Sequence, residues 1–211
     1  YGPKFIEKLN GQFAIFFLNS KQKKAYLIRD RLGQKPLYYF IGGNKFLFSS
    51  NFFSIKELMD DYQINEESLN NYLNTGVVPT EKTLIKNILE VKPSEIIEID
   101  LSNLEILTKQ IYWDINKISN NSPFDEKQFF SLFNNSVKIR QSADVPVAYF
   151  LSGGIDSTSV LKSAYESSEE TLNSFSAVHS NKKYDESYWS STASNQYNTS
   201  HTTEIIKKNI S

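Results

Sequence analysis

The sequence predicts an α+β domain with an antiparallel sheet, followed by an α/β domain with a parallel sheet. Apolar residues recur with a period of two through the first hundred residues, as in half-buried strands. A strand, a glycine turn and a helix follow one another around residue 153, which is typical of an α/β unit. The polar segment 114–123 lies between the two parts. We therefore predict domains at 1–113 and 124–211, joined by a linker at 114–123.

Turn signals separate the strands of the first part. Residues 19–24 form a polar turn, and Gly42, Gly43 and Asn44 are typical of a hairpin. Helices are expected at 54–61 and 66–73, with Asn65 as the N-cap of the second. The pattern predicts an antiparallel meander, extended by two later strands. The predicted strands are 12–18, 25–29, 37–41, 45–49, 95–100 and 105–111.

The second part alternates helices with strands, which predicts parallel pairing. Residues 147–151 are nearly all apolar, and such a run is typical of a strand buried on both faces of a parallel sheet. Further strands are expected at 173–178 and 202–206. Helices are expected at 124–140, after the glycine turn, and at 186–197.

Composition excludes several classes of function. The 211 residues carry a net charge of −1, which argues against a nucleic-acid groove or a membrane-surface face. The sequence contains no cysteine, which excludes a disulfide framework and a cysteine nucleophile within it. No apolar run approaches the length of a membrane span, and no signal peptide is visible. We therefore expect a cytoplasmic protein.

The glycine turn predicts an anion site. Gly153 and Gly154 allow a sharp bend, while Asp156 and Ser157 can cap the helix that follows. Backbone N–H groups and a helix N-terminus then converge on one spot, which favours phosphate. No lysine of the Walker A type follows, since the first one downstream, Lys162, lies inside the helix. A divalent cation would be needed between Asp156 and phosphate. The alternative is a capped turn that binds no ligand.

Residues 152–157, with the sequence Ser-Gly-Gly-Ile-Asp-Ser, resemble the SGGxDS pyrophosphate loop of the ATP pyrophosphatases. In that family, ATP is cleaved between its α- and β-phosphates while an acyl group is adenylylated. The resemblance implies that the pyrophosphate leaves from this loop.

A second resemblance lies upstream of the loop. Residues 9–14 and 29–39 are similar to the L-x-G-x-F-A and RDRxGxKPLYY patterns of the amidotransferase domain in glutamine-hydrolysing asparagine synthetases. Residues 142–147 and 184–187 are further matches on either side of the loop. The motifs occur in that family's order, and the resemblance covers essentially the whole chain. It implies a partial class II amidotransferase-like domain, followed by a partial ATP-pyrophosphatase domain.

The charged residues Arg29, Asp30 and Arg31 could form a binding cluster. We favour a structural interpretation, in which they end a strand beside a Gly/Pro turn and Asp30 is paired locally. For the same reason we interpret Asp185 as a helix cap.

The resemblance also implies the ligand-binding residues. The loop would hold the phosphates of ATP, Leu151 and Ala177 would lie on the adenine side, and Asp156 would contact Mg²⁺. We assign no catalytic residue, and neither His179 nor His201 is predicted to be a metal ligand. The full predicted set is Leu151, Ser152, Gly153, Gly154, Asp156, Ser157 and Ala177.

The function implied is an ATP-dependent ligase that amidates aspartate through a β-aspartyl-adenylate, with ammonia from glutamine. The family's amidotransferase nucleophile is an N-terminal cysteine, so we expect no glutamine hydrolysis by these 211 residues alone. The alternatives are a β-lactam-synthetase-like or peptide-cyclising relative, a stand-alone ligase with the same loop, and an inactive, truncated nucleotide-binding fragment. Whether two copies pair as a homodimer stays open.

Overall fold

The computed structural model of the chain describes residues 2–79, 81–118, 123–179, 181 and 185–206. Residues 119–122 of the predicted linker and Tyr184 of the last matching motif therefore lie outside the described residues. The chain divides into two compact units, 1–120 and 121–211. Within the described ranges, no helix combines the length and the apolarity that crossing a bilayer requires.

The first unit contains seven strands among its described residues, in two antiparallel sheets. In the larger sheet the strands run in the order β1-β2-β6-β7, and in the smaller one β4-β3-β5. In chain order these strands are β1 (Ala14–Asn19), β2 (Lys24–Arg29), β3 (Tyr38–Gly42), β4 (Lys45–Ser49), β5 (Leu89–Glu90), β6 (Glu95–Asp100) and β7 (Glu105–Ile111).

The prediction of a single meander is wrong. β1 and β2 form one antiparallel hairpin and β3 and β4 another, as expected, but the two hairpins belong to different sheets. β2 pairs instead with the distant β6, where Leu27 lies opposite Ile97. The Gly/Pro turn between β2 and β3 therefore carries the chain from one sheet to the other.

β2 is buried on both faces, which explains its position at the centre of the unit. Ala25 and Leu27 pack with residues of the second sheet, including Tyr39, in one hydrophobic cluster. Tyr26 and Ile28 point to the opposite face, where they pack with Ile6. The 3₁₀ helix Gly2–Lys8 carries Ile6 and so covers that face.

Two helices, α1 (Phe52–Glu57) and α2 (Glu66–Thr75), follow the second hairpin. The prediction of Asn65 as the N-cap of α2 is confirmed, because its Oδ1 accepts a hydrogen bond of 3.2 Å from the Ser68 N–H. The helix ends at Gly76, whose φ of 75° is left-handed.

The second unit is an α/β layer with a parallel sheet, as predicted. The strands run in the order β10-β9-β8, and both pairings are parallel. The elements in chain order are α3 (Glu126–Arg140), β8 (Ala148–Phe150), α4 (Ile155–Glu166), β9 (Asn173–His179), α5 (Ser187–Gln196) and β10 (Ser200–Ile206). The core formed by these elements contains Val137, Leu151, Leu161, Ala164, Leu172 and Ala193.

The prediction that 147–151 is buried on both faces is wrong. Phe150 is 86% exposed, and Phe175 beside it on β9 is 41% exposed. Leu151, by contrast, is 2% exposed and belongs to the core. Among the described residues, this sheet is therefore covered on one face only, and β8 lies at its edge. The apolar run 147–151 thus occurs in a strand with one exposed face.

Candidate phosphate-binding site

The predicted site lies in the turn between β8 and α4, at the carboxyl end of the parallel strands, where ligands collect in open α/β sheets. Leu151 is buried below the turn, whereas Ser152, Gly154 and Asp156 are exposed. The turn thus opens outward from the second unit.

Gly153 is required at this turn for two independent reasons. Its φ is +80°, a conformation that side chains disfavour. A Cβ added to it would also lie 2.4 Å from the backbone carbon of Trp189 and 2.6 Å from the Ser190 nitrogen. The loop backbone therefore packs directly against α5.

Two serines of the loop bond to each other and to the backbone. The Ser152 and Ser157 Oγ atoms are 3.0 Å apart. The Gly154 N–H donates to Ser152 Oγ at 3.2 Å, and the Ser157 hydroxyl donates to the Gly154 carbonyl at 3.2 Å. The Ser152 N–H donates to Ser157 Oγ at 3.3 Å. Most of these bonds are long for their type, so they are weak and exchangeable.

The N-terminus of α4 has no side-chain cap. The N-cap residue is Gly154, and Asp156 and Ser157 lie inside the first turn of the helix, so the prediction that they cap it is wrong. The N–H groups of a first helical turn have no acceptor within the helix. These donors therefore remain available on the exposed side, close to the carboxylate of Asp156 in the same turn.

The end of β9 lies beside the loop. β8 pairs with β9 only as far as Phe150 and Phe175, so Ala177 extends beyond the end of β8 and is exposed. The Leu151 N–H donates to the Phe175 carbonyl at 2.8 Å. The structure thus brings Leu151, the loop and Ala177 to one end of the sheet.

Ser176 is a residue of this region that sequence reasoning missed. It is 5% exposed, and its hydroxyl donates to the Leu151 carbonyl, immediately before the loop. Trp189, at the contact with Gly153, was missed as well. Neither residue belongs to a local motif, and both contacts join positions far apart in the chain, so no sequence signal indicated them.

His201 is hydrogen-bonded within the second unit. Nδ1 of His201 lies 2.7 Å from Ser174 Oγ, and its Nε2 is buried without a hydrogen-bond partner. Among the described residues, no three His, Cys, Asp or Glu side chains cluster as a metal site would require. A cavity of about 390 Å³ lies at the opposite end of β8, lined by Gln141 and Tyr149 among others, and it contains none of the predicted site residues.

The structural interpretation of the Arg29 block is confirmed. Asp30 is 2% exposed, and its carboxylate accepts four backbone N–H bonds of 3.0–3.3 Å. Burial by itself would raise the pKa of Asp30, but these donors hold it below its ordinary value. Arg29 donates to the carbonyls of Val91, Gly33 and Lys35 and pairs with Glu90 at 2.7 Å.

The N-cap residue of α5 is Glu186, so the interpretation of Asp185 as the cap is wrong by one position. The Oδ1 of Asp185 nevertheless accepts a bond of 3.0 Å from the Ser187 N–H at the start of α5. This bond lowers the pKa of Asp185.

Two family models match the chain in succession. One, described as Glutamine amidotransferase domain, matches residues 1–113. The other, described as Asparagine synthase, matches residues 128–209.

Curated relatives match across both units. A Methanocaldococcus jannaschii protein, provisionally named asparagine synthetase [glutamine-hydrolyzing] 2, is 32% identical over 204 residues, which are 93% of this chain and 39% of that protein. Asparagine synthetase [glutamine-hydrolyzing] 3 of Bacillus subtilis is 31% identical over 159 residues, 74% of this chain and 25% of that protein. Amidase chyE of Penicillium rubens is 32% identical over 166 residues, 76% of this chain and 24% of that protein.

The chain therefore spans 24–39% of the length of these relatives. The matches do not favour a ring-closing relative, a stand-alone ligase or an inert fragment. Both motifs that carried the resemblance lie inside the matched ranges. The chain belongs to the glutamine-hydrolysing asparagine synthetase family.

Proposed function

We propose that this chain contributes the phosphate-binding loop of an ATP-dependent ligase that amidates aspartate through a β-aspartyl-adenylate, with ammonia from glutamine. The observation that carries the proposal is the exposed Ser152–Ser157 turn, with an uncapped helix N-terminus, in a member of the asparagine synthetase family. The first unit would belong to the amidotransferase half of the same enzyme.

The loop can hold the β- and γ-phosphates of ATP with donors that are already in place. The N-cap residue of α4 makes no side-chain bond to the N–H groups of the first turn, residue Asp156 in that turn is exposed, and the positive end of the helix favours an anion there. The hydroxyls of Ser152 and Ser157 can turn from each other to phosphate oxygens. Since their present bonds are mostly long, this exchange costs little.

Asp156 fits a contact to Mg²⁺. It is an exposed carboxylate in the turn that would face the phosphates, and Mg²⁺ is commonly held by one or two carboxylates together with substrate phosphates. When bound, the ion would neutralise charge on the phosphates. The same carboxylate would repel phosphate if the ion were absent.

In the proposed reaction, the carboxylate of aspartate attacks the α-phosphorus of ATP, and pyrophosphate departs. The loop stabilises the negative charge that builds up on the leaving pyrophosphate, because its N–H groups are held in place before the reaction begins. Ammonia then attacks the acyl carbon of the adenylate, forming asparagine and releasing AMP.

The proposal is tested by isothermal titration of the chain with Mg-ATP and with Mg-pyrophosphate. We expect both to bind, and we expect Asp156→Ala to weaken each by roughly tenfold or more. The matched control is Glu166→Ala, which removes the same charge at the far end of α4, where Glu166 pairs with Lys162 at 3.7 Å. The control is expected to bind as the wild type does.

Absence of heat with the unmodified chain would contradict the proposed site. An equal loss of affinity for the Asp156 and Glu166 variants would contradict the role of Asp156.

The reaction class is tested separately by ³¹P NMR of ATP incubated with aspartate, ammonium and the enzyme to which this chain contributes. AMP and pyrophosphate are the expected products, whereas ADP and phosphate would exclude adenylylation.

A further inference from the structure

The hydroxyl of Ser176 links the end of β9 to the start of the loop. Its side chain is buried, and it donates to the carbonyl of Leu151, the last residue before Ser152. The Leu151 N–H is bonded to the Phe175 carbonyl on the same strand. Both backbone groups of Leu151 are thus tied to consecutive residues of β9.

This clamp lies where β8 has already ended. The register of β8 and β9 ends at Phe150 and Phe175, and the Leu151 N–H bond to the Phe175 carbonyl is the last backbone bond from the described part of β9 to the segment that leads into Gly153. The peptide that follows Leu151 has its carbonyl held by Ser176, and this peptide's N–H belongs to Ser152, where it donates only a long bond of 3.3 Å to Ser157 Oγ. Because a peptide unit is planar, holding its oxygen also sets the direction of that N–H.

We propose that Ser176 is a positioning residue for the phosphate loop, which aims the first N–H of the loop and fixes the distance between the loop and Ala177. This inference rests on the proposed function. Ser176 itself would contact no phosphate, since its hydroxyl is buried and already donates to Leu151.

The same strand provides a matched control. Ser174 lies two residues earlier on the same face of β9 and is fully buried. Its hydroxyl contacts Thr199 Oγ1 and His201 Nδ1, both at 2.7 Å, and neither belongs to the loop. Removing either serine hydroxyl takes one buried polar group from β9, but only Ser176→Ala removes a bond to the residue that precedes the loop.

The experiment measures the affinity of the whole chain for Mg-pyrophosphate, by calorimetry at a temperature where circular dichroism shows every variant folded. Ser176→Ala is expected to bind roughly tenfold more weakly, the order seen when an outer partner of a binding group is removed. Ser176→Thr keeps the hydroxyl and is expected to restore most of the affinity. Ser174→Ala is expected to bind as the unmodified chain does. If Ser176→Ala does not fold, Ser176→Cys, with a weaker donor of similar size, replaces it and is expected to show a smaller loss.

The outcomes separate the two proposals. If the unmodified chain binds but Ser176→Ala binds equally well, the positioning role is overturned while the proposed function stands. Equal losses for Ser174→Ala and Ser176→Ala would show a general loosening of β9 and would also overturn it. If the unmodified chain does not bind Mg-pyrophosphate at all, the proposed function fails and the role of Ser176 fails with it.

Discussion

Replacing Gly153 with alanine tests the geometry of the loop without any ligand. The φ of +80° would cost an alanine about 1–2 kcal/mol. The new methyl group would also meet the backbone of α5 at 2.4 Å from Trp189 and 2.6 Å from Ser190. Backbone atoms in a helix cannot rotate away, so the overlap adds about 1–3 kcal/mol. We expect Gly153→Ala to lower the free energy of unfolding of the second unit by about 2–5 kcal/mol.

Urea unfolding followed by tryptophan fluorescence measures this loss. The chain has two tryptophans, and a Trp113→Phe background leaves Trp189 as the reporter of the second unit. Gly154→Ala is the control, because its φ is −70° and its added Cβ would lie 3.3 Å from a serine hydroxyl that can rotate. That variant should change the unfolding free energy by less than about 1 kcal/mol. Equal stability of the two variants would refute the close approach of loop and α5.

Two further predictions concern buried polar groups. Asp30→Asn removes the acceptor for two of the four partly buried N–H groups that bond to this carboxylate. It should lower the free energy of unfolding of the first unit by about 2–4 kcal/mol at neutral pH, measured by urea unfolding with Trp113 as reporter in a Trp189→Phe background. The pKa of Asp30 in the folded protein lies below its ordinary value of 3.8. Ionised Asp30 therefore stabilises the folded state fully above about pH 3.8, and this stabilisation is lost as the pH falls through the folded pKa. The difference in unfolding free energy between wild type and Asp30→Asn should therefore become smaller in acid. A difference that grows in acid would contradict the lowered pKa of Asp30. Ser163, on α4, has a buried hydroxyl without a hydrogen-bond partner. Ser163→Ala removes this hydroxyl and should stabilise the second unit by about 0.5–1 kcal/mol in thermal unfolding. A clear loss of stability would indicate a hydrogen bond that the structure does not show.

Every strand described in the first unit except β5 was readable from sequence, and so were the hairpins of neighbouring strands, but the pairings of β2 with β6 and of β3 with β5 were not. A period of two marks a strand and its faces, and it says nothing about which strand lies beside it. β2 and β6 are separated by two helices and the whole second hairpin, and they pair through residues such as Leu27 and Ile97. Strands that are consecutive in the sequence usually lie beside each other, but here the turn after Arg29 leads into the second sheet instead.

The site was predictable to the extent that it is local. The strand, the glycine turn and the helix are consecutive, so residues 152–157 could be placed at a strand end without knowledge of the rest. Ser176 and the contact of Gly153 with Trp189 depend on how β9 and α5 pack against the turn. Such contacts arise only when distant segments meet, and a single sequence does not encode them in a local pattern.

The two motifs that carried the resemblance differ in how far their polar groups are satisfied. Around Asp30, the carboxylate accepts four N–H bonds, and Arg29 donates to three carbonyls within the first unit. A buried group with all its partners inside the protein has none left for a ligand, so this motif stabilises a turn. In the loop at Gly153, the helix N-terminus has no side-chain cap, and its serines are held mostly by long mutual bonds. Donors without a protein acceptor on an exposed turn cost little folding free energy, because water can bond to them, and they are free to bind an anion. The contrast supports a structural role for the first motif and a binding role for the second, although both are equally recognisable as sequence.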